Sequence, residues 1–408
     1  VHRVDKLASA QRQVKVRRGT TPRPEPTRRN RLAPRPAAGT LSAVFAARHL
    51  LSDASDVARA LRRRHREVWP LRRRGADLGM AVVVDRTPPD ERQALARWQQ
   101  SEPVFLPGML GDGPVRHAAA IRASLRMFDR LRRGARFTDE LEPRLADDED
   151  LRYVGSTTDQ SDPREIERVL LDAEPGGTVV ARDLWAKLAW IADTDNDRSL
   201  RIRFSAGREQ LDAWMGATDL TAGWVDQFAA RAFLECAAVL TCLPLRRLLQ
   251  RLLQRPHRLS ERIVYNNAPD GGAVFHHDAE PGQLGVVFSQ LEGHTAWLSI
   301  SKRRLAARVV HAGQARNVRA AMDALDRGED SKLWRRLNRD AGFTADLAAH
   351  GALFVLRAGD VILLPSQGFD DVAWHSVIAL GTRPSLAHSY GVFPRRPDYP
   401  VASDPGAQ

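Results

Sequence analysis

The chain has 408 residues, 43% hydrophobic and 27% charged, enough material for two ordinary globular cores. Its formal charge of +12 is concentrated at one end, because residues 1–40 carry 11 Lys/Arg against Asp5 and Glu25. The other 368 residues hold 51 Lys/Arg against 48 Asp/Glu, so overall basicity does not argue for a nucleic-acid-binding fold. Cys236 and Cys242 are too few for a disulfide framework, and they read as buried thiols rather than zinc ligands. No apolar run approaches the ~20 residues of a membrane span. No apolar signal core stands at the N-terminus, and the expectation is a soluble, cytoplasmic chain with no membrane partner.

Residues 1–40 form an Arg/Pro-rich tail, with Pro22, Pro24, Pro26, Pro34 and Pro36 against a continuous helix. The tail is expected to be disordered, and nucleic acid or another acidic partner is the ligand its charge suggests. Residues 41–255 read as a mainly helical domain. Apolar residues recur at three- and four-residue spacing over Leu41–Trp69, Asp90–Gln100, Val115–Leu131, Pro163–Asp172, Gln210–Trp214 and Ala222–Leu253. Two strands interrupt it, Met80–Val84 and Ser199–Ser205, where Leu200, Ile202 and Phe204 alternate with Arg201 and Arg203. Asp193-Thr194-Asp195-Asn196-Asp197 imitates a calcium loop but lacks its glycine and closing glutamate, having Arg198 and Phe204 instead. It reads as a polar turn into a strand.

From Pro256 to 398 the pattern changes to short strands punctuated by Gly and Pro. These are Arg262–Tyr265, Val274–Asp278, Val286–Gln290, Thr295–Ile300, Leu353–Arg357, Val361–Leu364, Val372–Val377 and Ser385–Val392. Eight such runs predict a jelly roll. Arg303–His350 is a helical insert between the fourth and fifth strands, and 399–408 is a short tail.

Val274-Phe275-His276-His277-Asp278 carries the chemistry. Side chains two apart on a strand share a face, so His276 and Asp278 can enter one cavity while His277 turns away or covers the rim. One further His completes a facial triad with three open metal positions. His375, 97 residues after Asp278 and near the start of a later strand, supplies it. Arg383 opens the last strand and offers a fork for a carboxylate, with Ser385 on its face as a hydroxyl. Gln290 is a further candidate for the pocket wall.

Over Arg262–Pro394 the chain resembles the Fe(II)/2-oxoglutarate-dependent oxygenases of double-stranded β-helix fold, including the cupin-like Jumonji-C branch. The resemblance rests on His276-x-Asp278, Gln290-Leu291-Glu292-Gly293 with Trp297, Gly359-Asp360, His375, and Arg383 with Ser385. It implies an α+β chain in which His276, Asp278 and His375 ligate Fe(II), 2-oxoglutarate chelates the metal, and O2 takes the last position. Arg383 then binds the far carboxylate of 2-oxoglutarate, with Ser385. The reaction implied is hydroxylation of a C–H bond in a protein, peptide or natural-product intermediate. Two departures stand out. Thr295 occupies the place where Jumonji-C members carry a lysine, with Lys302 the next one, and the segment from Asp278 to Gln290 is longer than in the relatives compared. A cupin-type metal oxygenase or isomerase without 2-oxoglutarate is one alternative. A non-catalytic jelly-roll adaptor with a nucleic-acid-binding tail is another. Pairing into a homodimer through helices outside the barrel is expected by analogy.

Overall fold

A computed structural model describes residues 67–83, 86–192, 197–207, 219–328 and 331–395, together with the two-residue strand Leu50–Leu51. The chain divides into 1–43 and 44–408, and every described residue lies in the second part. The expected disordered tail, the helix at Gln210–Trp214, most of Leu41–Trp69 and the acidic turn at 193–196 fall outside the described residues.

Fifteen strands are described, with β1 (Leu50–Leu51), β2 (Val68–Arg73) and β3 (Ala76–Val82) forming a small sheet of order β1-β3-β2. The main sheet contains β4 (Val104–Leu106), β5 (Leu151–Thr157), β6 (Glu165–Ala173), β7 (Ala181–Trp190), β8 (Leu200–Ala206) and β9 (His257–Asn267). It is completed by β10 (Gly285–Glu292), β13 (Val361–Pro365) and β15 (Ser385–Pro394), in the order β4-β13-β10-β15-β9-β8-β7-β6-β5. The third sheet joins β11 (His294–Ser301), β12 (Leu353–Arg357) and β14 (Ala373–Leu380) in the order β12-β11-β14. Every pairing is antiparallel.

Alternation along these strands sorts side chains into three apolar layers. Val286, Phe288, Trp297, Phe354, Ile362, Val377 and Ala387 meet between the main and third sheets and form the sandwich interior. Val287, Leu291, Leu363, Leu386 and Val392 face the opposite way and pack under helices. Ala296, Leu298, Ile300, Leu353, Val355 and Ile378 turn outward from the third sheet to meet the insert. Burial of each large apolar side chain contributes about 1.5–3 kcal/mol. The strand order and shared interior are those of a jelly roll.

Helices cover both outer faces. Glu91–Gln99, Ala118–Arg132, Phe137–Leu145, Asp219–Ala232 and Leu243–Leu253 lie on the main sheet, with Trp98, Met127, Phe128, Leu141, Phe228 and Leu249 buried there. The insert forms four helices, Lys302–His311, Val318–Arg327, Ser331–Arg339 and Ala341–Ala349, over the third sheet. Asp90 begins the first covering helix with a capping box to Gln93, which satisfies donors that would otherwise be orphaned.

The region expected to be mainly helical contributes β2 and β4 to β8 as well as helices. Pro163–Asp172 is not a helix, since most of it is strand β6. Its triplet spacing arises because Glu165 is buried against Arg168 and Lys187, which breaks the strand's apolar alternation. The long helix at Ala222–Leu253 is interrupted at Phe233 and again at Thr241–Cys242.

The expected strand Val274–Asp278 also differs. It is an irregular extended segment with one isolated bridge, His276 to His375. Other groups take over its backbone donors: Phe275 N–H donates to the Asn338 side chain at 2.8 Å, and Gly272 N–H to Asp197 at 3.2 Å. Gly272 has φ +125°, and a Cβ there would lie 2.3 Å from the Val377 carbonyl oxygen. Only glycine lets this segment approach β14 so closely.

Candidate metal centre

His276, Asp278 and His375 converge at the edge of the third sheet, their ligand atoms all within 4.8 Å of one another. His276 Nε2 lies 3.3 Å from Asp278 Oδ1, and His375 Nε2 lies 3.5 Å from Asp278 Oδ2. The His276 ring nitrogen Nδ1 sits 2.8 Å from the Val274 carbonyl. Donation there leaves Nε2 with its lone pair, the tautomer a metal needs. The rings of His276 and His375 are 4.2 Å apart and tilted by 54°.

The electrostatics separate the three groups. Burial opposes ionisation of Asp278, but His375 and His276 outweigh it and hold the carboxyl far below its usual range. Burial lowers the His276 pKa, but the adjacent Asp278 outweighs that and raises it. His375 is pushed down to about 3 by burial and then by His276, against the pull of Asp278. An anionic oxygen beside a neutral, buried imidazole is the donor set that suits a divalent cation of intermediate softness.

His277 faces away from the cluster. Its ring meets Phe369 and Trp374 at 6.0 and 5.3 Å, and its Nδ1 accepts from Ala279 N–H at 3.2 Å. Trp297 stacks on His375 at 5.0 Å with an interplanar angle of 20°. A relay holds that indole: Trp297 Nε1 donates to Thr295 Oγ1 at 3.1 Å, and Thr295 donates to Gln290 Oε1 at 2.8 Å. Gln290 in turn donates to the Glu292 and Leu386 carbonyls at 2.7 and 3.2 Å. Gln290 and Thr295 therefore position the wall behind His375, and neither lines the cavity.

A cavity of about 250 Å³ opens from the cluster, walled by Tyr265, Asn267, Phe288, Trp297 and Ser389, with Arg74, Arg164 and Arg201 among its lining. Arg383 does not reach it. That residue is exposed on the turn before β15 and lines a separate groove of about 1130 Å³ with Arg122 and Arg126. Ser385 is buried, and its Oγ accepts from Asn267 Nδ2 at 3.4 Å. Lys302 is buried elsewhere, donating to Asp326 and Asp370 at 2.9 Å each and to the Phe369 carbonyl at 2.8 Å.

Two features escape reading by sequence. Arg73, 3% exposed, donates to the Ala273 carbonyl at 3.1 Å, to the Asn338 carbonyl at 2.8 Å, to Asn338 Oδ1 at 3.1 Å and to Ser376 Oγ. It pins the His276 segment and β14 to the insert. Arg201 sits across from Tyr265 in the β8–β9 register, on the face that continues the cavity wall. Its alternation with apolar residues was visible, but its neighbour was not.

No family model matches this chain, and no curated protein matches it. Among solved structures it is similar to SnoN, a non-heme α-ketoglutarate-dependent epimerase from nogalamycin biosynthesis. Identity is 13% and the TM-score 0.32, covering 78% of this chain and 90% of that one. A 2OG-Fe(II) oxygenase family oxidoreductase from Burkholderia pseudomallei is similar at 10% identity and TM-score 0.30, over 76% of this chain and 93% of that one. HygX from Streptomyces hygroscopicus, solved with nickel, 2-oxoglutarate and hygromycin B, is similar at 13% identity and TM-score 0.29, over 74% and 87%.

Proposed function

We propose that this chain is an Fe(II)- and 2-oxoglutarate-dependent oxygenase that hydroxylates a C–H bond of its substrate. The observation that carries the reading is the convergence of two imidazoles and one carboxylate on one end of a jelly-roll cavity. Two nitrogens and one oxygen form the donor set of non-haem iron sites that leave positions open. Bound there, iron with its 2-oxoacid and O2 would supply the oxidising chemistry.

The chain's own contribution is geometric. Asp278 keeps its charge and bridges both imidazoles. His276 offers Nε2 because Val274 occupies Nδ1. Trp297 and Phe288, 4.5 Å apart, wall the cavity against water behind His375. The irregular segment 271–276 aims His276 where a straight strand would not, and Arg73 holds it there.

A cupin-type metal enzyme that uses no 2-oxoglutarate is the second reading. Arg383 outside the cavity favours it, as does the lack of any Lys or Arg from β10 to β15 in the cavity lining. Anaerobic addition of Fe(II) and then 2-oxoglutarate separates the two. A visible charge-transfer band, lost in His276→Ala and His375→Ala, supports the first. Iron uptake without the band supports the second, and no metal uptake removes both.

A further inference from the structure

We propose that the Arg383 groove, at the other end of β14 from His375, binds single-stranded nucleic acid. It holds about 1130 Å³ and is separate from the metal cavity. One wall is a stripe of the helix Ala118–Arg132, whose residues enter the groove at three- and four-residue steps along its whole length. At 1.5 Å per residue that stripe is about 20 Å long. The other wall is made by the turns that follow β10, β12 and β14. Leu380, at the groove, ends β14, and His375 stands about 16 Å back along the same strand.

Five arginines line this groove against Asp129 and Glu292. Asp129 is already tied to Arg133 at 2.6 Å, and Arg357 to Glu67. Arg122, Arg126 and Arg383 are exposed and make no hydrogen bond or ion pair with any described residue. Arg132 is half-buried, and its Nε donates to the Arg198 carbonyl at 3.0 Å. Its Nη2 is buried with no partner among the described residues. Like charges gathered along one trough repel, and a polyanion lying in it relieves that repulsion.

The length of the trough suits a chain-like ligand. An arginine fork takes a phosphate with two parallel N–H donors, and its plane stacks on bases. Leu125 and Trp69, both half-buried, add the apolar surface that bases need. An acidic peptide fits less well. Apart from Trp69, strands contribute only their end residues, so no free sheet edge runs along the groove to pair with an extended peptide backbone. Residues 1–40, with 11 Lys/Arg against Asp5 and Glu25, carry the wrong sign to occupy it.

The test is fluorescence anisotropy of the full chain with a labelled single-stranded RNA of about 12 nucleotides, within the usual range of single-strand site sizes. The groove variant is Arg122→Gln/Arg126→Gln/Arg383→Gln. The control is Arg92→Gln/Arg247→Gln/Arg255→Gln, three exposed arginines whose side chains also lack partners among the described residues and do not line the groove. Wild type is expected to bind RNA with strong salt dependence. The groove variant should bind about tenfold more weakly and lose about 2 from the salt slope, at ~0.7 per phosphate contact. The control should keep wild-type affinity and slope, and all three proteins should share one melting temperature. Absence of binding in wild type overturns the proposal, as does equal weakening in the control, which would assign binding to overall charge. Oligoglutamate of matched charge should displace the RNA only in large excess. Displacement at equal concentration, lost in the groove variant, would make this a peptide site and overturn the assignment. No readout involves metal, so failure here leaves the oxygenase reading untouched.

Discussion

His276 and His375 are backbone partners as well as neighbours: each donates its N–H to the other's carbonyl, at 2.9 and 2.8 Å. The bridge that aligns the two candidate ligands therefore does not involve their side chains. Metal binding and local folding are consequently separable by substitution.

His276→Ala and His375→Ala should each lower Co(II) affinity by more than the ~10–100-fold typical of losing an outer-layer partner. Both should keep wild-type circular dichroism and cooperative unfolding. Calorimetric titration with Co(II) and thermal melts check the pair of claims. Wild-type affinity in either variant would remove that histidine from the ligand set.

Arg73→Met tests the support beneath the site. The variant removes the guanidinium donors from the Asn338 carbonyl and Ser376 Oγ, while the Ala273 carbonyl keeps Val377 N–H at 2.9 Å and Ser376 Oγ at 3.2 Å. Burial, then the neighbouring Arg74, already push the guanidinium pKa down to about 9, so removing the charge returns part of the loss. We expect a net destabilisation of about 2–3 kcal/mol and about tenfold weaker metal binding. Denaturant unfolding and cobalt titration measure both, and unchanged metal affinity would confine Arg73 to stability.

Gly272→Ala should be costlier than its size suggests. The added Cβ meets the Val377 carbonyl, and φ +125° is strained for any side chain. A loss of about 2–4 kcal/mol is expected, from strain and displacement together. Gly282→Ala serves as the control, because φ there is +78° but nothing lies within 4 Å of a Cβ. Equal losses at both positions would show that φ alone is responsible.

Asp226 sets a pH dependence remote from the metal. Burial raises its pKa to about 7, against Arg262, Arg258 and Ser260, and its Oδ1 is buried with no partner. A carboxyl raised in the fold binds its proton more tightly there than in the unfolded chain. Its contribution is complete below the ordinary carboxylate range near pH 4 and is lost as pH rises to about 7. The slope reaches at most about 1.4 kcal/mol per pH unit. Asp226→Asn should flatten the melting-temperature profile between pH 4 and 7, and a parallel profile would reject Asp226 as the source.

The jelly-roll half was legible because most of its strands have one face toward the sandwich interior and the other under helices, and turns separate them. Short apolar runs between glycines are what such strands look like. His276 and Asp278 were picked out by assuming strand alternation, although the segment that carries them is irregular and paired only through the His276–His375 bridge. Strands β6 and β7 were not legible, because buried ion pairs such as Glu165 with Arg168 and Lys187 place charges where a strand pattern needs apolar residues, and β5 is a largely exposed edge strand with little apolar pattern to read. Arg383 has the right chemistry near the start of the right strand but sits on an exposed turn, and its direction depends on where β15 begins. Arg201 carried no local mark that set it apart from Arg203, which instead pairs with Glu261 and Glu280 at 3.8 and 3.5 Å.

The width of the main sheet bears on how the molecule behaves in a crowded solution. Nine strands in one sheet leave only two edges, and both are poor templates for another chain. One edge is β4, three residues long. The other is β5, whose pairing with β6 slips between Tyr153 and Gly155 and whose Arg152 is clamped by Asp172 and Glu174 at 2.7 and 2.5 Å. The flanking strands thus shield the jelly roll from the edge-to-edge aggregation that its own strands β9 and β13 would otherwise invite.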